Sequence, residues 1–107
     1  MRKENLTEIE RKIATLKQKL LTIGEMRPGS LTIQYKDPKT KSGGSYQISY
    51  THHMKSRTEY VRPQFAPALK KQINTYKIFR EIVEKWIDLA IAHSKDKIRL
   101  AILKEKG

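Results

Sequence analysis

The strongest constraint lies near the start of the chain. Leu6, Ile9, Ile13, Leu16, Leu20 and Ile23 recur at spacings of 3, 4, 3, 4 and 3. That is an unbroken a/d seam, and a stripe so narrow needs one partner helix. Asn5 suits an N-cap, and Glu8 three residues later completes a capping-box pattern. Gly24 follows the last seam residue and suits the C′ position. The spacing predicts a helix over residues 5–23, about 28 Å long. Its seam packs either on a second helix of this chain or on a partner.

The character then changes. Met26-Arg27-Pro28-Gly29-Ser30 is a run of turn formers. Leu31–Tyr35 alternates apolar with polar residues, and Tyr46–Tyr50 alternates again with Tyr46, Ile48 and Tyr50 on one face. A basic loop bearing Gly and Pro, residues 36–44, joins them. A turn around His52, His53 and Met54 leads to Arg57–Val61, which reads as a third strand ended by Pro63. Short strands with short links over residues 30–62 predict an antiparallel meander. Only one face of such a sheet must be buried, so the other is open to a ligand.

The remainder is helical in pattern. Pro67 fits a first helical turn. Leu69, Ile73, Tyr76, Val83, Ile87 and Ala90 form one stripe, and Phe79, Ile82, Trp86 and Leu89 form an adjacent one. A helix with two stripes has two surfaces to cover. The pattern predicts a helix over residues 66–103, with Ser94 as a possible point of interruption. The fold class that follows is α+β, with residues 1–107 as a single domain: an N-terminal helix, a three-stranded antiparallel β-meander and a long C-terminal helix packed antiparallel on the first.

Charge narrows the function classes. The chain has 107 residues, with 23 Lys and Arg against 11 Asp and Glu, a net charge of +12. The middle segment, residues 26–65, is the least compensated, with seven basic and two acidic side chains. This surplus predicts attraction to polyanions. There is no Cys, which excludes a disulfide scaffold, a Cys-based zinc finger and a thiol nucleophile. No apolar run approaches the ~20 residues of a membrane span. The start, MRKENLTEIERK, is charged and lacks the pattern of a secretory signal. A cytoplasmic location without membrane association is therefore expected.

No catalytic constellation emerges, and no enzyme activity, metal or cofactor is expected. His52 and His53 are adjacent, and neighbours on a strand point to opposite faces, which sets them apart for metal binding. Motifs of the HExxH, GxGxxG and Walker kinds are absent. The sheet segment differs in kind, because basic residues surround strands rich in amides, hydroxyls and tyrosines. Arg27, Lys36, Lys39, Lys41, Lys55, Arg57 and Arg62 are candidates for phosphate contact. Gln34, Gln47 and Ser49 alternate out of phase with the apolar positions and are candidates for base edges. A narrow β-ribbon fits the major groove of B-DNA.

Met26-Arg27-Pro28-Gly29-Ser30-Leu31, followed by Gln34-Tyr35, resembles an uncharacterised family of small proteins often encoded near transposases and other mobile elements. So does Tyr60-Val61-Arg62-Pro63 leading into a helix with Tyr76, Phe79 and Arg80. The similarity covers the first helix through about residue 90. Many members carry a Cys cluster after the Gln-Tyr strand, where this chain has Lys36–Gly44 and no Cys. The resemblance implies a mobile-element or phage-like setting and no particular activity.

The expectation is a small basic nucleic-acid-binding protein, DNA before RNA, that meets duplex DNA through its sheet and loops. A chain this short buries only about two thirds of its unfolded surface, which favours a homodimer. Leu6, Ile9, Ile13, Leu16, Leu20, Phe79, Ile82, Trp86 and Leu89 are the candidate interface. The alternative is a helical adaptor or inhibitor that uses these stripes to bind a protein, such as a transposase or nuclease complex.

Overall fold

The computed structural model describes residues 5–37, 39 and 43–106. It has an N-terminal helix α1 (Leu6–Leu21), a sheet of strands β1 (Ser30–Gln34), β2 (Ser45–His52) and β3 (Lys55–Val61), a 3-10 turn (Pro63–Phe65) and a long helix α2 (Ala66–Lys106). This is the α+β arrangement expected from the sequence. Contacts gather in two compact units, one formed by Gly24–Ile78 and the other by Met1–Ile23 with Phe79–Gly107.

In the first unit the strands run antiparallel in the order β1-β2-β3. Leu31 pairs with Ile48 and Ile33 with Tyr46; on the other side Val61 pairs with Tyr46, Glu59 with Ile48 and Arg57 with Tyr50. Directly paired residues share a face and neighbours along a strand alternate. One face therefore holds Leu31, Ile33, Tyr46, Ile48, Tyr50, Arg57, Glu59 and Val61. The centre of that face is covered: Ile48 is fully buried and packs with Val61 and with Ile73 and Leu69 of α2, while Ile33, Arg57 and Glu59 at its margins stay exposed. The chain enters through Gly29, whose backbone N-side torsion of +146° is one that L side chains rarely adopt. Arg27 is pinned just before it, its backbone N–H donating to the Gln72 carbonyl at 3.1 Å.

The β2–β3 hairpin closes with only His53 and Met54 between paired His52 and Lys55. Both have positive φ, 51° and 64°, as a type I′ turn demands. This overturns the expectation that the adjacent histidines are set apart. The left-handed backbone at His53 breaks the alternation, and the two rings lie with centroids 3.8 Å apart.

The second unit pairs α1 with the later part of α2. The Asn5 side chain accepts from the Glu8 N–H at 2.9 Å, the cap anticipated by the sequence. The far end departs from expectation. The helix stops at Leu21, Thr22 is the C-cap, and the Thr22 hydroxyl donates to the Lys19 carbonyl at 2.7 Å. Gly24 has no left-handed conformation and does not serve as C′. Ile9, Leu16 and Ile82 are buried. The Lys17 ammonium lies 5.4 Å from the Trp86 ring centroid, and His93 Nε2 is 3.1 Å from Glu10 Oε1. Rising numbers on α1 thus meet falling numbers on α2, an antiparallel pair. The seam is used within the chain, so Ile9, Leu16 and Ile82 cannot also face a partner. Ser94 lies inside continuous helix and interrupts nothing. No described helix is long and apolar enough to cross a membrane.

Candidate nucleic-acid interface

The second face of the sheet belongs to the unit Gly24–Ile78 alone. Register assigns it Ser30, Thr32 and Gln34 from β1, Ser45, Gln47, Ser49 and Thr51 from β2, and Ser56, Thr58 and Tyr60 from β3. Every one is a hydroxyl or an amide, and none is charged. They line up in rows: Ser30, Ser49 and Thr58; Thr32, Gln47 and Tyr60. Ser49 and Thr58 share a hydrogen bond at 3.1 Å, as do Thr51 and Ser56 at 2.9 Å. The face is therefore stitched across strands at its hairpin end. At its other end stand Gln34, Gln47 and Tyr60, the last 65% exposed.

Cations adjoin this neutral face in sequence. Lys36 and Lys39 follow Gln34 at the exit of β1, and both are exposed. The Asp37 carboxylate accepts from the Lys39 N–H at 3.0 Å, which shapes the loop. Arg62, also exposed, follows Tyr60 and Val61 at the same end. Lys55 and Arg57 lie at the hairpin end, where β1 has already ended opposite Ser49 and the sheet narrows to two strands.

The candidates named from the sequence thus divide. Gln34, Gln47 and Ser49 share the open face. Lys36 and Arg62 come two residues after Gln34 and Tyr60 at one end of it, and Lys39 lies further along the loop. Lys55 and Arg57 sit at the other end, but their side chains belong to the register of the covered face. Arg27 is drawn away from the open face. Its guanidinium donates to Glu59 Oε2 at 2.8 Å and lies 5.0 Å from the Tyr50 ring centroid, while the Tyr50 hydroxyl donates to Glu59 Oε1 at 3.3 Å. Arg27 therefore holds the covered face together. Lys41 lies outside the described residues. Tyr60 is not among the contact candidates that the sequence pattern singles out. Its signal was its place next to the buried Val61, because adjacent strand residues take opposite faces.

Along α2 the two predicted stripes are redistributed. Leu69 and Ile73 face the sheet, and Ile82 is buried in the other unit. Phe79, Trp86 and Leu89 are half-buried, as are Leu6, Ile13 and Leu20 of α1. A different row is left in solvent: Ile87, Ile91, Ile98 and Ile102 are each about half exposed. Among the described residues no three His, Asp or Glu side chains converge to hold a metal.

Comparison with known proteins finds no matching family model, no matching curated protein and no matching solved structure.

Proposed function

We propose that the chain is a small basic nucleic-acid-binding protein that uses the open face of its sheet and the loops at its ends. One observation carries this reading: a face made only of hydroxyls, amides and a tyrosine, with the exposed cations Lys36 and Arg62 following it at one end. Phosphates are held by counterion release to Lys and Arg, and bases are met by uncharged donors and acceptors. The unit bearing the face has ten basic and three acidic side chains, net +7, a surplus that favours a polyanionic partner. A mobile-element setting is the context that the motif resemblance suggests. The test is fluorescence anisotropy with labelled oligonucleotides at several salt concentrations. Binding whose logarithm falls linearly with log salt supports the reading. Replacing Lys36, Lys39 and Arg62 together by Glu should weaken binding and lower the slope by about 2, from ~0.7 per phosphate neutralised on a single strand. A flat signal for every nucleic acid at low salt overturns it.

A second reading has its own observation. The exposed row Ile87, Ile91, Ile98 and Ile102 runs at spacings of 4, 7 and 4 along α2, a surface suited to a second helix and hence to the adaptor role or to self-association. A partner retained after nuclease digestion, and lost on changing Ile91 and Ile98 to Glu, would favour it.

A further inference from the structure

The open face is unequal along its length, and the inequality bears on which nucleic acid it takes. At the hairpin end the hydroxyls already serve one another, in the pairs Ser49–Thr58 and Thr51–Ser56. At the loop end the exposed ring of Tyr60 stands in one row with Gln47 and Thr32, and Gln34 lies beyond them. An exposed aromatic side chain on a sheet offers a π-face to a base, and the energy of that contact is open to any base. A base can reach it only when unstacked, as in a single strand, a loop or a bulge. The neighbouring amides supply both a donor and an acceptor for a base edge.

A duplex fits this end less well. Three strands ~4.8 Å apart are ~10 Å wide between outer backbones, and their own width fills the ~12 Å major groove. The two-stranded tip is slim enough, yet its open-face hydroxyls Thr51 and Ser56 are engaged with each other, and Met54 at its end is 98% exposed. The exposed cations Lys36 and Arg62 follow Gln34 and Tyr60 by two residues each, so this end of the face has positive charge beside it for a phosphate backbone.

Resting on the nucleic-acid reading, we propose that the chain binds unpaired strands, with one base stacked on Tyr60 and met at its edge by Gln47. This proposal differs from the duplex expected from the sequence, and the two are separated by experiment. The experiment compares labelled oligo-dT of about a dozen nucleotides with a fully paired hairpin, at equal salt, for the full chain and for Tyr60→Ala and Tyr60→Phe. The intact chain should hold oligo-dT about tenfold tighter than the hairpin. Tyr60→Ala should weaken oligo-dT binding by about 5- to 150-fold, the equivalent of ~1–3 kcal/mol of stacking per base, with the salt slope unchanged. Tyr60→Phe should retain the affinity, since the ring alone is needed. Steep salt-dependent binding with the hairpin equal or tighter, or with Tyr60→Ala equal to the intact chain, overturns this inference and leaves the broader reading standing. No binding to either probe overturns the broader reading first. Circular dichroism of both variants verifies the fold.

Discussion

Gly29 is the residue at which the backbone has least choice. With φ at +146°, an added Cβ would lie 2.9 Å from Ile48 Cγ1 and 3.2 Å from the Ser49 carbonyl oxygen. Ile48 is fully buried and has no room to give way. Gly29→Ala is expected to cost about 1–3 kcal/mol from strain and overpacking, read as a lower urea midpoint. Gly24→Ala is the matched control, because nothing lies within 4 Å of its added Cβ. The hairpin residues err the other way. His53 and Met54 hold left-handed torsions without being glycine, and Met54 packs on nothing at 98% exposure. A left-handed L residue costs roughly 1–2 kcal/mol, so His53→Asn with Met54→Gly should raise the melting temperature. An unchanged or lower value would show that the paired histidine rings compensate for the turn.

Elements were the most legible level of the sequence. The seam from Leu6 to Leu20 declares its helix because period and capping agree, and Asn5 caps it as its side-chain chemistry requires. Asn5→Ala is expected to remove about 1 kcal/mol by stranding the Glu8 N–H, measured by chemical denaturation. The strands were legible for the same reason: alternation assigns Ile48 to one face and Gln47 to the other. Less legible was β3, whose Lys55–Val61 carries only one buried residue, Val61. Its apolar count is too small to declare parity, so Arg57 read only as a phosphate-contact candidate beside the turn, and its place opposite Tyr50 was not legible. Ile48→Ala should destabilise the sheet unit by about 2–5 kcal/mol, because that side chain joins the strands to Ile73 of α2. Loss of the sheet's signal in circular dichroism at a lower denaturant concentration is the expected readout.

At the scale of the whole molecule, a net charge of +12 on 107 residues opposes compactness through self-repulsion. Raising ionic strength from low to physiological values is therefore expected to raise the thermal midpoint while weakening nucleic-acid binding, two opposite responses to one screening effect. A midpoint that falls would mean that pairs such as Arg27–Glu59 and Arg99–Asp96 outweigh the repulsion. By itself the sequence determined the helices, the three strands and the surplus of charge. Each of these rests on local periodicity, capping chemistry or composition, and none needs a distant residue. Only the tertiary structure decided which stripe of α2 would be covered and that Arg27 would be taken by Glu59 thirty-two residues away. Those outcomes depend on strand register and on which surfaces meet. They are pairings between residues far apart in the chain, and no local pattern encodes them.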